Sequence, residues 1–222
     1  FSFIKYLILI SILATSIYLI TPKFFDLNEK AQHIKHSLYE KYNIKITNYE
    51  KIQYNIFPTP RIIFSNLKYQ IKEEVVSTGL ASQLILNLNL SEIYKNKNFD
   101  FNKIKMNKSK LTIEVKNFKN FLNYLLKIKR KLYLENIIFK ITKKKQKLIK
   151  IKKIKFDNKN LSNIHFNGMF ENKLININLI NNKNKKKLKF SMPEIGLETI
   201  IDFDDLENFT GKLRSTILDN NL

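Results

Sequence analysis

A period of two governs most of this chain. From Ile44 onward apolar residues return at every second position, first in Ile44-Lys45-Ile46 and Ile52-Gln53-Tyr54-Asn55-Ile56. The pattern continues in Leu84-Ile85-Leu86-Asn87-Leu88-Asn89-Leu90, in Leu111-Thr112-Ile113-Glu114-Val115 and in Leu132-Tyr133-Leu134. It recurs in Ile137-Ile138-Phe139-Lys140-Ile141, Ile149-Lys150-Ile151, Ile164-His165-Phe166, Leu174 to Leu179 and Leu188-Lys189-Phe190. Successive side chains of a strand point to opposite faces, so each run makes one apolar row backed by Lys and Asn. Antiparallel sheets wet on one side have this character. Asp157-Asn158-Lys159-Asn160 and Asn181-Asn182-Lys183-Asn184 read as turns between runs. One helix interrupts the strands, with Phe118, Phe121, Leu122, Leu125 and Leu126 at helical spacing. The predicted fold is mainly β, a curved antiparallel sheet or groove with one or two short helices. The apolar rows then have two fates: burial against one another in a closed sandwich, or exposure in an open trough that requires a ligand or partner.

The N-terminal run Phe3-Ile4-Lys5-Tyr6 to Tyr18-Leu19-Ile20 carries a single charge, Lys5, close enough to the helix end to snorkel toward headgroups. A bilayer core takes about 20 apolar residues as helix, close to this length. A cleaved signal peptide is the rival, but Thr21-Pro22-Lys23-Phe24-Phe25 offers no small-x-small site after the run. The sequence therefore divides into a transmembrane anchor over 1–22, a juxtamembrane helix over 23–43 and a β-rich domain over 44–222. The helix is expected because Asp26-Leu27-Asn28-Glu29 has capping-box spacing and Ile34, Leu38 and Tyr42 share a face. The chain starts at Phe1 and stops in mid-pattern at Asn221-Leu222, as a portion of a longer protein would. Lysines at 23, 30, 35, 41 and 45 follow the anchor, and charge counting leaves its orientation open.

A net charge of +21 invites a nucleic-acid reading, which the arginine content opposes. Only Arg61, Arg130 and Arg214 occur, and arginine is the residue for bidentate phosphate and base-edge contacts. The chain is also rich in Asn, Ile, Phe and Tyr, which share A/T-rich codons with Lys. Coding bias accounts for much of the lysine, and no nucleic acid is expected as a partner.

Little in the chain can build a catalytic site. It has no cysteine, three histidines and four glycines, and nothing matching a P-loop, a dinucleotide fingerprint or a nucleophile elbow. His33 and His36 sit three apart on the predicted juxtamembrane helix and read as an exposed face. Asp202, Asp204, Asp205 and Glu207 lack the spacing of a calcium loop and read as a solvated turn. The expectation is a non-enzyme without cofactor or metal.

The order of elements resembles the N-terminal part of AsmA-family proteins. An anchor ends at Leu19-Ile20-Thr21-Pro22-Lys23-Phe24-Phe25-Asp26, and a helix follows. A strand pair then brackets a Pro-x-Pro element in Ile56-Phe57-Pro58-Thr59-Pro60-Arg61-Ile62-Ile63-Phe64-Ser65-Asn66-Leu67-Lys68-Tyr69. A leucine-rich strand from Ala81 to Leu90 leads into the step Leu90-Ser91-Glu92-Ile93-Tyr94, without the glycine usual there. Phe99 to Ile104 and Leu111 to Val115 are similar to the short strands after that step, and the likeness runs more loosely through Phe166-Asn167-Gly168 and Phe209-Thr210-Gly211-Lys212. The resemblance implies an anchor in a bacterial inner membrane with the bulk of the chain in the periplasm. It also implies a long β-groove, similar to that of chorein-type bridge-like lipid-transfer proteins, serving phospholipid transport between membranes or outer-membrane assembly.

On that reading acyl chains would lie along the apolar rows, with candidate wall residues Leu84, Leu86, Leu88, Leu90, Leu111, Ile113, Val115, Ile149 and Ile151. Lys150, Lys152 and Lys155 would meet headgroups at a wet rim. Two alternatives stand beside it: an anchored binder of nucleic acid or anionic surfaces through the Lys143-to-Lys155 region, and a closed, purely structural sandwich.

Overall fold

The structure, a computed structural model, describes residues 2–71, 77–95, 97–128, 130–144, 146–160, 163–182, 185–205 and 210–217. Helix α1, Ser2–Ile20, is apolar all round, and its Phe3–Ile20 window has a mean hydropathy of 2.1 with none of it buried. At about 1.5 Å per residue it is roughly 27 Å long, long and apolar enough to span a membrane. A tight turn over Thr21–Phe24 leads to helix α2, Leu27–Tyr42. The Asp26 side chain accepts from Asn28 N–H at its start, and left-handed Asn43 ends it. The predicted face is the buried one: Leu27, Ala31, Ile34, Leu38 and Tyr42. His33 and His36 lie on its exposed face.

A twelve-stranded, unclosed sheet makes up the rest among the described residues. Its first strands are β1 (Ile44–Asn48), β2 (Lys51–Asn55), β3 (Arg61–Ile71) and β4 (Ser77–Asn87). The short helix α3 (Leu90–Ile93), strand β5 (Lys103–Glu114), helix α4 (Phe118–Lys127) and β6 (Leu132–Lys143) follow. The series closes with β7 (Gln146–Asn160), β8 (Asn163–Phe170), β9 (Lys173–Asn182), β10 (Lys185–Met192), β11 (Leu197–Asp205) and β12 (Thr210–Ile217). Strand order is β1-β3-β4 and then sequential to β12, with β2 also beside β3. The pairing departs from a wholly antiparallel sheet at one place: β5 and β6 run parallel. A parallel neighbour requires a crossover, and α4 supplies it.

The strands share a transverse crease. Residues in left-handed backbone stand at Asn66 (φ 47°), Lys108 (φ 49°), Asn136 (φ 55°) and Lys153 (φ 52°), one in each of β3, β5, β6 and β7. The pairing lines them up. Ser65 pairs with Gln83 and Leu67 with Ala81, which sets Asn66 opposite Ser82 of β4. Gln83 pairs with Asn107 and Ala81 with Ser109, which sets Ser82 opposite Lys108. Asn107 pairs with Glu135 and Lys110 with Ile138, which sets Lys108 opposite Asn136. Ile137 then pairs with Ile154, which sets Lys153 just past that line, beside Ile138. At the sheet edge the break between β1 and β2 meets the same line, where Asn66 Nδ2 donates to Glu50 Oε2 at 2.5 Å. An extra residue in a strand bends it and resets its alternation. Here the reset occurs in step, so buried residues lie on one face on both sides: Ile104 and Met106, then Leu111 and Ile113; Leu132, then Ile137 and Phe139. Asn tolerates this backbone; Lys adopts it at a cost.

Polar fastenings fix the helices over the folded half. Tyr124 of α4 donates its hydroxyl to the Tyr42 carbonyl at 2.7 Å, and Asp100 accepts from Lys41 at 3.1 Å and Arg130 at 2.6 Å. Asn158, expected in a turn, is instead buried inside β7. Its Oδ1 accepts from Leu132 N–H at 2.7 Å and its Nδ2 donates to the Arg130 carbonyl at 2.8 Å, holding the entry to β6. The fully buried Tyr69 ring lies directly over Gly79, so close that a Cβ there would sit 2.1 Å from Tyr69 Cζ, while its hydroxyl bonds Ser109 Oγ at 2.7 Å.

Candidate functional site

The apolar face of the sheet has a closed half and an open half. Over β1 to β6 it is sealed by α2 and α4 into one core that includes Phe64, Leu67, Leu84, Leu86, Ile104, Ile113 and Phe121. Leu84, Leu86, Leu88 and Ile113 are 0–2% exposed, so the wall positions expected there are interior packing, out of reach of a ligand. Their alternation is the same as a trough wall's; helix docking from elsewhere in the chain covers them. Leu90 begins α3 and is half-buried against this core. Val115 falls in the turn after β5 and is exposed.

The open half begins under α4. Phe118, Phe121 and Leu122 form a partial roof over a cavity of about 140 Å³, with a floor drawn from β6 to β10. Leu134, Ile137, Phe139 and Ile141 come from β6, Ile151 and Ile154 from β7, Phe166 and Gly168 from β8, and Ile175, Ile177 and Leu179 from β9. Of the expected wall residues, Leu111 and Ile151 line this cavity. Ile149 pairs with the lining residue Ile141 and lies at its exposed margin. An apolar cavity of roughly 150 Å³ stays dry and accepts a benzene-sized guest. This one therefore fits a short stretch of hydrocarbon. Gly168 shapes it, because a Cβ would come 2.9 Å from Ile151 Cγ2 and 3.1 Å from Ile154 Cγ1.

Beyond the cavity the apolar row continues without the helix. Ile177 pairs with Phe190 and Leu179 with Leu188 of β10; Leu188 pairs with Ile201 of β11, and Ile201 with Leu213 of β12. On β12, Leu213 is 64% and Ile217 73% exposed, so the trough opens to solvent at this end. Neither β11 nor β12 was signalled by alternation. Asp202, read as part of a turn, lies in β11 on the opposite face, where it pairs with Arg214 at 2.7 Å and Lys187 at 3.7 Å. Asp204 and Asp205 also fall in β11, and Glu207 lies outside the described residues. No grouping of three or more His, Asp or Glu suited to a metal occurs among the described residues.

Lysines occupy the outer face. Lys150, Lys152 and Lys155 alternate with Ile151, Ile154 and Phe156, so the sheet separates them from the trough they were expected to rim. Lys150 pairs across β6 with Lys140, whose ammonium is held below the usual lysine range by the charge of Lys110, then by burial, with Lys150 and Lys147 adding to it. The arrangement thus has an oily inner face and a basic outer face. Comparison of the chain with protein-family models, curated proteins and solved structures finds no match in any of the three.

Proposed function

We propose that this is a membrane-anchored carrier of phospholipid acyl chains, working without catalysis as an AsmA-like protein. The observation that carries the reading is the apolar cavity under α4, from which an apolar row runs on without a helix over it to β12, beside the hydrogen-bonded pair Thr199 and Ser215. A soluble face of this kind requires an occupant. Each methylene laid on it contributes about 0.8 kcal/mol, while the continuous row lets a chain slide with little change in contact. Anchoring by α1 in a bacterial inner membrane, with the sheet in the periplasm, agrees with phospholipid transport between membranes or outer-membrane assembly.

A photo-crosslinking amino acid at Ile177 or Leu188, in cells, is expected to give lipid adducts that mass spectrometry identifies. The same label at Lys152, on the outer face, is expected to give none. Adducts from neither trough position would remove the basis of the reading. The outer lysines Lys110, Lys140, Lys147 and Lys150 support a second reading, attraction of an anionic surface or polymer. Salt separates the two, since charge-driven binding falls steeply with ionic strength and acyl-chain binding does not.

A further inference from the structure

The junction between α1 and the sheet is built as a fixed mount. In the last turn of α1, the Tyr18 ring stacks on Tyr94, just after α3, with centroids 4.7 Å apart and planes 5° from parallel. The Tyr94 hydroxyl donates to the Tyr18 carbonyl. Phe25 meets the Tyr94 ring edge-on at 5.4 Å, and the Lys30 ammonium lies 4.6 Å over Phe25. That ammonium also donates to the carbonyls of Ile93 at 2.7 Å and Lys95 at 3.1 Å. Helix α1, the turn after it, α2 and α3 are thereby tied at one end of the sheet.

Two large aromatic residues lie unpacked at that same end. Phe24, in the turn after α1, is 83% exposed. Phe57 is 77% exposed in the loop joining β2 to β3, which is held near α3 because Leu88 N–H donates to the Pro60 carbonyl at 3.1 Å. Single exposed apolar residues are ordinary on a protein surface. These two differ in flanking the exit of a helix apolar enough to span a bilayer, where aromatic side chains settle at the headgroup level. Exposed Lys131 at the same strand ends suits the phosphates of that layer.

We propose that this end of the domain, bearing Phe24 and Phe57, docks on the lipid headgroup layer of the bilayer that α1 enters. The sheet is then held in one pose against the membrane rather than swinging on a tether. The inference rests on the reading of α1 as a membrane span and is independent of what fills the trough.

The chain has no cysteine, so single-cysteine variants can carry an environment-sensitive fluorophore at one position each. F24C, F57C, I8C and K153C variants of the chain would be reconstituted in vesicles of equal parts phosphatidylcholine and phosphatidylglycerol, with and without lipid bearing a nitroxide just below the headgroup. Labels at Phe24 and Phe57 are expected to lose emission alike, while the label at Lys153, on the outer face, loses none. A Phe57 label as unquenched as Lys153, with the Ile8 label quenched by a deeper nitroxide, overturns the docking alone. An Ile8 label that no nitroxide reaches overturns the membrane span and the docking with it. Lipid crosslinking at Ile177 reads the trough separately, so failure of one proposal is not mistaken for failure of the other.

Discussion

Replacing Ile177 by Asn tests the trough where an acyl chain would have to cross it. Ile177 lines the cavity between Phe166 and Phe190, its cross-strand neighbours, and is half-buried. Ile177 is partly exposed, so water reaches the new amide while no lipid is bound and folding loses only about 1 kcal/mol. A lipid tail laid over it strips that water without returning a hydrogen bond, costing about 2 kcal/mol. The apolar contact of the lost isoleucine forfeits about 2 kcal/mol more. Together these weaken acyl-chain binding by roughly a thousandfold. The assay is titration of pyrene-labelled phosphatidylglycerol into the purified full chain in mild detergent, read by emission polarisation. Asn176→Ala, one residue away on the opposite face, is the control and should bind as the parent does. If Ile177→Asn binds the probe within about twofold of the parent, far below the roughly thousandfold expected, and melts normally, the trough face is not where lipid lies.

Other expectations concern the scaffold. Gly79→Ala forces the Tyr69 ring from its place and breaks its bond to Ser109, so the denaturant midpoint should fall by an amount equivalent to about 3 kcal/mol. Asn158→Ala leaves the Leu132 N–H and the Arg130 carbonyl unpaired in the interior, a loss of about 2–4 kcal/mol by chemical denaturation. Lys108→Val should destabilise by about 1–2 kcal/mol although valine favours strands, because a β-branched residue is strained in the left-handed backbone there. Burial pushes the Tyr42 and Tyr69 phenols from 10.0 up to about 12, with Arg130 opposing the rise at Tyr42 and Ser109 opposing it at Tyr69. The folded state therefore keeps protons the unfolded chain gives up. Stability present below pH 10 is lost as pH climbs toward about 12, by a few kcal/mol per tyrosine, and Tyr69→Phe should remove its share of that slope.

Much of the architecture was legible locally. Alternation marked most strands, and helical spacing marked α2 and α4. The crease was not legible as such, because it breaks the very signal used to find strands. Leu134 and Ile137 stand three apart, so the single strand β6 reads as two runs, and Ile151 and Ile154 hide the continuity of β7 in the same way. Strand β11 was missed because Asp202 is stabilised by Arg214 and Lys187 on neighbouring strands, a partnership that no short window contains. The candidate site was half legible. An inward residue such as Leu84 or Leu86 looks the same as Ile177 or Leu188; only the docking of α2 and α4 decides which is sealed. The lysines were assigned to a rim although alternation with Ile151 and Phe156 already sent them to the other face.

The line from Asn66 through Ser82, Lys108 and Asn136 also governs which changes of length the chain can tolerate. Substitutions along it act one at a time, but a deletion does not. Removing one residue from β5 on either side of Lys108 would keep one half of that strand in phase with β4 and β6. The other half would turn inside out, sending lysine inward and isoleucine to water. Restoring the match would require the same deletion in β3, β4 and β6 together. The strands are thus bound to a common length from edge to line, and extra sequence has room only in the connections beyond their ends.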